Sequence, residues 1–389
     1  MPASSGVRVE VSKRFESKPF AYDDDGAAVG QAHYPAESGH DRGDEVRRVS
    51  EDEVARGRVT IRDVAASAGV SISTVSHALS GRRTISAATK ERIMAAAEEL
   101  GYGANPSARA LRTGRSGLVG LILRPRDAVH GSMARTETFT RLLGAIATAV
   151  LEQKMGLVHV PDILDPAVQS IPMDGCIVAH PYRGDEVLEQ LLRRDIPVVT
   201  VDEDTDRPDF PWSVVLDTST AVTELLQHLH DNGARRVMLL TGTEDNAWNR
   251  HARETYVAWA KRRRMKPHHE SLYEGEGVDG AAKLIEPILT GPRRPDAIIA
   301  AASRFAAGIA QTAEKVGIDM PGDLMLAALT DSEYTRGNTP PITSVDLALE
   351  ELGMATVALM LHRLAGDPPP VQRPVVQPHL YVRQSTTRT

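Results

Sequence analysis

At 389 residues, with 41% hydrophobic and 25% charged residues, the chain is long enough for two or three domains and a sizeable core. Aromatics make up only 4%, so Leu, Val, Ile and Ala must fill that core, and no apolar run approaches the length needed to cross a bilayer. The net charge of −7 would argue against nucleic acid, but it is unevenly spread. Residues 1–57 carry 8 basic and 12 acidic groups, residues 58–116 carry 9 basic and 4 acidic, and the rest 28 basic and 36 acidic. A basic segment on an acidic body is the asymmetry of a nucleic-acid-binding head.

Residues 1–57 show no sustained period. Asp23-Asp24-Asp25, the run 40–45 and Glu51-Asp52-Glu53 read as a solvated, disordered extension. No signal-peptide hydrophobic region precedes them, so a soluble cytoplasmic protein is expected. Order begins at Thr60, a good N-cap with Asp63 at capping-box spacing. Ile61, Val64, Ala65 and Ala68 form one apolar helical face, and Gly69 stands where a helix stop needs positive φ. Val70 and Ser71 open a second helix with Val75, Ala78 and Leu79 inward and Ile72, Ser73, Ser76 and His77 outward. Two short helices joined by a glycine turn describe a helix-turn-helix, the alternative being an ordinary αα-hairpin.

Ser86 then caps a third helix, Ala87 to Leu100, with Ile93, Ala96, Ala97 and Leu100 inward and Gly101 as its stop. In the stretch 103–112, Asn105 as N-cap and Pro106 as first helical residue prime a helix too short to persist alone in water. Such a helix makes sense if it folds on binding.

These motifs, TIRDVAASAGVSISTVSHALS, then SAATKERI, then YGANPSARAL, together resemble the DNA-binding headpiece and hinge of the LacI/GalR family of bacterial repressors. The resemblance implies an N-terminal all-α helix-turn-helix headpiece on an α/β periplasmic-binding-protein-like core of two Rossmann-like subdomains. The expected boundaries are 1–57 extension, 58–104 headpiece, 105–116 hinge and 117–389 core. It implies a sequence-specific regulator, expected to be a repressor, that binds a pseudo-palindromic double-stranded DNA operator as a homodimer or tetramer. A small effector in the inter-lobe cleft, or a protein co-regulator, would modulate it. The competing class is a two-lobed solute-binding protein or sugar-processing enzyme without a DNA role, which the basic head disfavours.

The core reads as alternating strands and helices. Buried-strand runs appear at 118–123, 156–160, 176–179 and 197–201, with helices near 137–154 and 185–194. A second round starts after Asp217: helix to Asn232, strand 236–240, helices 246–264 and 280–290, strand 296–301, helix 305–316, strand 325–329 and helix 348–364. Leu380 to Thr386 resembles the family's closing strand and its R-x-S-T ending. This pattern means parallel sheets with crossover helices in two similar halves. Only residues 162–173 separate the second and third strands, with Pro166 and Pro172 among them, so the crossover there must be very short.

For base reading the resemblance points to Ile72, by apolar contact, Ser73, an undiscriminating donor and acceptor, and His77, which can pair with guanine. Thr60, Ser71, Thr74, Ser76 and Thr89 read as phosphate contacts. At the hinge, Leu111 matches the family's minor-groove wedge, with Ala108 beside it and Asn105 approaching the backbone. For the cleft, Arg250 and Asp217 match effector-contacting positions, and Trp248, Ser303, Thr330 and Asp331 fall at neighbouring ones. Trp212 and Tyr334 are further candidates for its wall. The family's Asn-Asp pair reads Ala302-Ser303 here, and its acidic pair reads Thr330-Asp331. An anionic or less hydroxylated ligand is therefore expected in place of a simple sugar.

Enzyme motifs are missing: there is no nucleophile elbow, phosphate loop or metalloprotease helix, and a lone Cys176 in the apolar run 175–179 makes no disulfide framework. His268, His269, His228 and His230 lack metal-ligand spacing and read as surface residues. No catalytic residue, metal or cofactor is expected, and no membrane partner.

Overall fold

The computed structural model describes residues 59–80, 85–100, 115–124, 137–160, 164 and 171–387. Two compact units make up the chain, residues 1–102 and residues 103–389.

In the first unit, α1 (Ile61–Ala68), α2 (Ile72–Ser80) and α3 (Ala87–Glu99) follow the capping signals closely. The Asp63 carboxylate accepts from the Thr60 N–H at 2.7 Å and from the Thr60 hydroxyl at 2.7 Å. These two bonds hold Asp63 below the ordinary carboxylate range. Gly69 closes α1 in the left-handed region at φ 62°. Ser71 Oγ accepts from the Thr74 N–H at 3.1 Å, and Ser86 Oγ from the Thr89 N–H at 3.3 Å, so each following helix is capped. Val64, Val75 and Ile93 are fully buried at the centre of a core completed by alanines 65, 68, 78, 96 and 97. Small side chains let three short helices approach closely, which a core this size requires.

The second unit contains two six-stranded sheets. Its elements run β1 (Leu118–Leu123), α4 (Glu137–Glu152), β2 (Gly156–His159), β3 (Gly175–Ala179), α5 (Glu186–Arg193), β4 (Val198–Val201) and β5 (Ser213–Leu216). Then come α6 (Thr218–Asp231), β6 (Val237–Gly242), α7 (Ala247–Arg262), β7 (His268–Leu272), α8 (Gly277–Leu289) and β8 (Ala297–Ala300). The chain ends with α9 (Ser303–Lys315), β9 (Met325–Ala328), α10 (Glu333–Arg336), β10 (Thr343–Asp346), α11 (Leu349–Leu364), β11 (Val375–Val376) and β12 (His379–Tyr381).

One sheet has the order β11-β5-β4-β3-β1-β2, all parallel, and the other β12-β10-β9-β8-β6-β7, parallel except for β12. Helices cover both faces of each, as parallel sheets require. In lobe 1, α4 and α11 cover one face and α5 the other. In lobe 2, α6 and α7 lie opposite α8 and α9. Strands β1, β3, β4, β6, β8 and β9 are buried almost throughout.

The two lobes are not successive halves of the sequence. The chain leaves lobe 1 after β5, returns with α11 and β11, and finishes in lobe 2 with β12. Five elements lie beyond the expected set: β5, β7, α10, β10 and β11. The residues expected to form a short crossover between β2 and β3 fall largely outside the described ones, as do residues 105–114 of the expected hinge 105–116. His269 is half-buried on β7 and bonded to Thr241 Oγ1 at 2.8 Å, and His228 reaches Thr386 Oγ1 at 2.7 Å. Neither is the free surface residue expected, because the strand β7 and the C-terminal turn that cover them escape the apolar periodicity. Among the described residues, no cluster of His, Cys, Asp or Glu could hold a metal, and no helix is long and apolar enough to cross a membrane.

Candidate functional site

The headpiece presents its polar residues at helix starts. Ile72 is 45% exposed at the first turn of α2, Ser73 is exposed beside it, and Ser76 and His77 are half-buried one turn on. Nearly half of the Ile72 surface is thus left to solvent at a helix N-terminus. Of the residues read as phosphate contacts, Ser71 caps α2, and its hydroxyl also bonds Ser73 Oγ and Thr74 Oγ1, each at 2.8 Å. Thr60 is tied into the capping box and Thr89 into the cap of α3. These hydroxyls mark helix N-termini, where unpaired backbone N–H groups and the helix dipole favour an anion. Asn105, Ala108 and Leu111 lie outside the described residues.

The second candidate site is a small cavity of about 120 Å³ between the lobes at the carboxyl ends of their strands, where open parallel sheets place ligands. Lobe 1 contributes Thr138 and Phe139 from the start of α4 and His180 from the end of β3. Lobe 2 contributes Gly242, Glu244, Asn246, Trp248 and Asn249 around the start of α7, Glu274 after β7, the stretch Ala301–Phe305, and Thr330. The edge of the Phe139 ring meets His180 at 6.3 Å between centroids, and burial pushes the His180 imidazole down to about 4, so it is neutral at physiological pH.

A bonded network forms the polar floor. Glu274 is 8% exposed, and its Oε1 accepts from Asn249 Nδ2 at 3.0 Å and from the Glu244 N–H at 3.2 Å. Asn249 in turn accepts from the Gly242 N–H at 3.0 Å. Arg304, 6% exposed, donates to the Glu274 carbonyl at 3.0 Å. Tyr182 of lobe 1 donates to Glu244 Oε1 at 2.7 Å across the lobes. At the mouth, the Arg336 guanidinium of lobe 2 holds the Glu137 carboxylate of lobe 1 at 2.7 and 2.8 Å.

Of the residues expected in the cleft, Trp248, Ser303 and Thr330 line this cavity. The other three lie elsewhere. Arg250 pairs with Asp245 at 3.0 Å. Asp217 caps α6, accepting from the Thr220 N–H at 3.0 Å and its hydroxyl at 2.8 Å. Asp331 is 8% exposed and held by Arg336 at 2.7 Å, Arg383 at 2.8 Å, Ser344 at 2.6 Å and Thr335 at 3.0 Å. Burial alone would raise the Asp331 carboxyl, but these hydrogen bonds hold it below its ordinary value. Trp212 packs against His362 and the Arg363 guanidinium, and Tyr334 is 38% exposed; neither lines the cavity.

The cavity's buried guanidinium is Arg304, one position beyond the Ala302-Ser303 pair, and its carboxylates are Glu244 and Glu274. An expectation built on the positions 302, 303 and 330 alone therefore understates the acceptors present. An arginine inside the small-residue run 301–310 was the one signal in the sequence that could have pointed to Arg304.

A two-lobed α/β core joined in one chain to a helix-turn-helix headpiece defines a bacterial regulator class. Residues 60–105 match the model for bacterial regulatory proteins of the lacI family, and residues 226–386 that for a periplasmic binding protein-like domain. The chain is 30% identical over 343 residues to the HTH-type transcriptional regulator PtxS of Pseudomonas putida, covering 85% of this chain and 97% of that one. It is 25% identical over 338 residues to the HTH-type transcriptional repressor PurR of Yersinia pestis, covering 84% and 96%. A solved Lac repressor dimer bound to operator and an anti-inducer superposes with a TM-score of 0.72 at 21% identity, covering 85% of this chain and 99% of that one. The chain belongs to the LacI family of transcriptional regulators.

Proposed function

We propose that this regulator binds a pseudo-palindromic operator as a dimer, represses transcription there, and responds to a small effector held between its lobes. The observation that carries the DNA reading is α2, whose capped N-terminus presents exposed Ile72 and Ser73, with His77 a turn further, within a segment, residues 58–116, whose sequence is net basic. In this reading Ile72, Ser73 and His77 meet base edges, while Thr60, Ser71, Thr74, Ser76 and Thr89 seat the helix N-termini on phosphates. Asn105, Ala108 and Leu111 belong to a hinge, residues 105–116, that folds in the minor groove, with Leu111 as the wedge. In this reading the chain acts by binding, as a transcriptional regulator of the family to which it belongs.

Genome-wide mapping of bound sites, followed by titration against one of them at several salt concentrations, tests this. Affinity should fall with a log–log slope of about −0.9 per neutralised phosphate, whereas a flat response would remove the electrostatic half of the reading.

For the effector, the walls of Phe139, Trp248 and Phe305 and the polar floor of Glu274, Asn249 and Arg304 support a small ligand with an apolar body and a hydrogen-bonding edge. Of the anionic or less hydroxylated ligand expected from Arg250 and positions 302, 303 and 330, this reading keeps the less hydroxylated alternative. Thermal-shift screening finds it: a ligand at 100 Kd adds about 2.7 kcal/mol. Arg304→Gln should abolish that gain without weakening operator binding.

A further inference from the structure

Away from the cavity, the seam between the lobes holds an unusual concentration of buried polar atoms. Asp202, at the end of β4 in lobe 1, is 1% exposed, and neither of its carboxylate oxygens receives a hydrogen bond of normal geometry. The nearby His251 charge and, more weakly, the backbone N–H groups of Glu203 and Leu216 favour its charged form. Asp204 Oδ2, Thr205 Oγ1 and Arg250 Nε are also buried without a hydrogen bond, Asp204 Oδ2 having only the Arg207 guanidinium at 3.7 Å. Next to Asp202, Glu203 is clasped from both sides. Arg373, just before β11 in lobe 1, donates at 2.7 Å, and His251, on α7 of lobe 2, approaches with Nε2 3.4 Å from Glu203 Oε1.

We propose that this seam is a proton-sensitive clasp, in which protonated His251 of lobe 2 holds Glu203 of lobe 1 beside a protonated Asp202, so that the lobes loosen as pH rises. Burying a carboxylate without partners is costly when it is charged and tolerable when it is neutral. Burial accordingly pushes Asp202 up to about 7, opposed by the His251 charge and reinforced by Glu203. The hydrogen bond to Glu203 raises the His251 imidazole against its burial, helped by the charges of Glu203 and of Glu254 on the same helix, and by Asp202 only while that carboxyl is ionised. His251 in turn holds Glu203 below its usual value, together with Arg373. Asp217, at the start of α6, also feels the His251 charge.

The signs agree. Two groups with raised values in the closed form give closure a contribution that is lost as pH rises through about 7; it grows as pH falls, the His251 share becoming full below 6.5 and the Asp202 share only below 3.8. The depressed Glu203 acts oppositely, but only at more acid pH. The Glu137–Arg336 tie at the cavity mouth pairs a depressed carboxyl with a raised guanidinium, so its charges persist across this window.

The consequence for the effector rests on the cleft reading above, but the clasp is testable without effector or DNA. Spin labels on Glu186→Cys in lobe 1 and Ser271→Cys in lobe 2 report the inter-lobe distance by pulsed electron resonance in the full-length protein, since native Cys176 is buried. From pH 6 to 8.5 the ratio of short to long distances should fall about tenfold or more, one pKa unit of linkage being a factor of about ten. In His251→Gln and in Asp202→Asn, the latter mimicking the protonated acid, the dependence should flatten. Asp202→Asn should stay closed at pH 8.5. A pH-independent distance in the parent protein, or an unchanged slope in both variants, overturns the clasp. Operator titration of the same samples tests the regulator reading separately.

Discussion

The carboxylate of Glu274 occupies the space where a side chain on Gly242 would begin: a Cβ built on Gly242 would overlap Glu274 Oε1 and crowd Asn249 Nδ2. The end of β6 and the loop after β7 are thereby locked together at the cavity floor. Gly242→Ala must expel the Glu274 carboxylate and break its bonds to Asn249 and to the Glu244 N–H. Overpacking of this kind costs about 1–3 kcal/mol. Denaturant unfolding should show that loss together with a weakened effector response, and unaltered stability would mean the network re-forms around the methyl.

Asp331→Ala separates a structural acid from a ligand contact. The side chain is 6% exposed and bridges Arg336 on α10 to Arg383 near the C-terminus. Removing it costs about 1–3 kcal/mol, because Arg383 is left largely desolvated whereas the 44% exposed Arg336 regains water. Unfolding midpoints should drop accordingly even without effector. If only effector affinity changed, Asp331 would face the ligand after all.

His180 makes lobe 1 acid-sensitive. Its imidazole is depressed to about 4 by burial, so the unfolded chain binds a proton near 6.5 that the folded chain refuses. The stability involved is complete above 6.5 and is lost as pH falls towards 4. Between pH 7.5 and 5 this removes up to about 2 kcal/mol, less whatever its partial exposure returns. Chemical unfolding of the parent protein and His180→Gln at both pH values measures it; equal losses would show that His180 is solvated.

On DNA, His77→Ala should relax discrimination at one operator base pair by about 1–3 kcal/mol and leave the salt slope unchanged, because a base contact carries sequence information and few counterions. Competition titrations with single-base operator variants provide the reading. A uniform weakening across all variants would move His77 to the phosphate contacts.

The headpiece was legible because its boundaries are written in local chemistry: Thr60 with Asp63, Gly69 and Ser86 each act within one turn. Strands β1, β3 and β4 were legible for another reason, since parallel strands buried on both faces must be continuous apolar runs. At the sheet margins that reasoning fails. The edge strand β7 carries His-His-Glu-Ser, and β10 is polar because Thr343 and Ser344 bond the C-terminal turn and Asp331. The cavity was read only in part. Trp248, Ser303 and Thr330 sit at helix starts and strand ends that the pattern locates, whereas His180 comes from the bend after β3 and Glu274 from a single 3-10 turn after β7, neither with a period. Arg250 misled because its charge is spent on Asp245, five residues back in the same segment.

Lobe 1 is assembled from two distant stretches, since β1–β5 are covered by α11 and extended by β11 only after lobe 2 has been spelled out. During synthesis from the N-terminus, its sheet therefore emerges with the face meant for α11 uncovered and stays so for some 130 residues, on the order of 10 s at ribosomal speed. Lobe 2 lacks only β12 and the final turn when β11 appears. Lobe 1 is completed by β11 only about ten residues before the final turn completes lobe 2, so the two lobes should mature almost together, and a chain stopped after β10 would release a nearly finished second lobe beside a sticky first one.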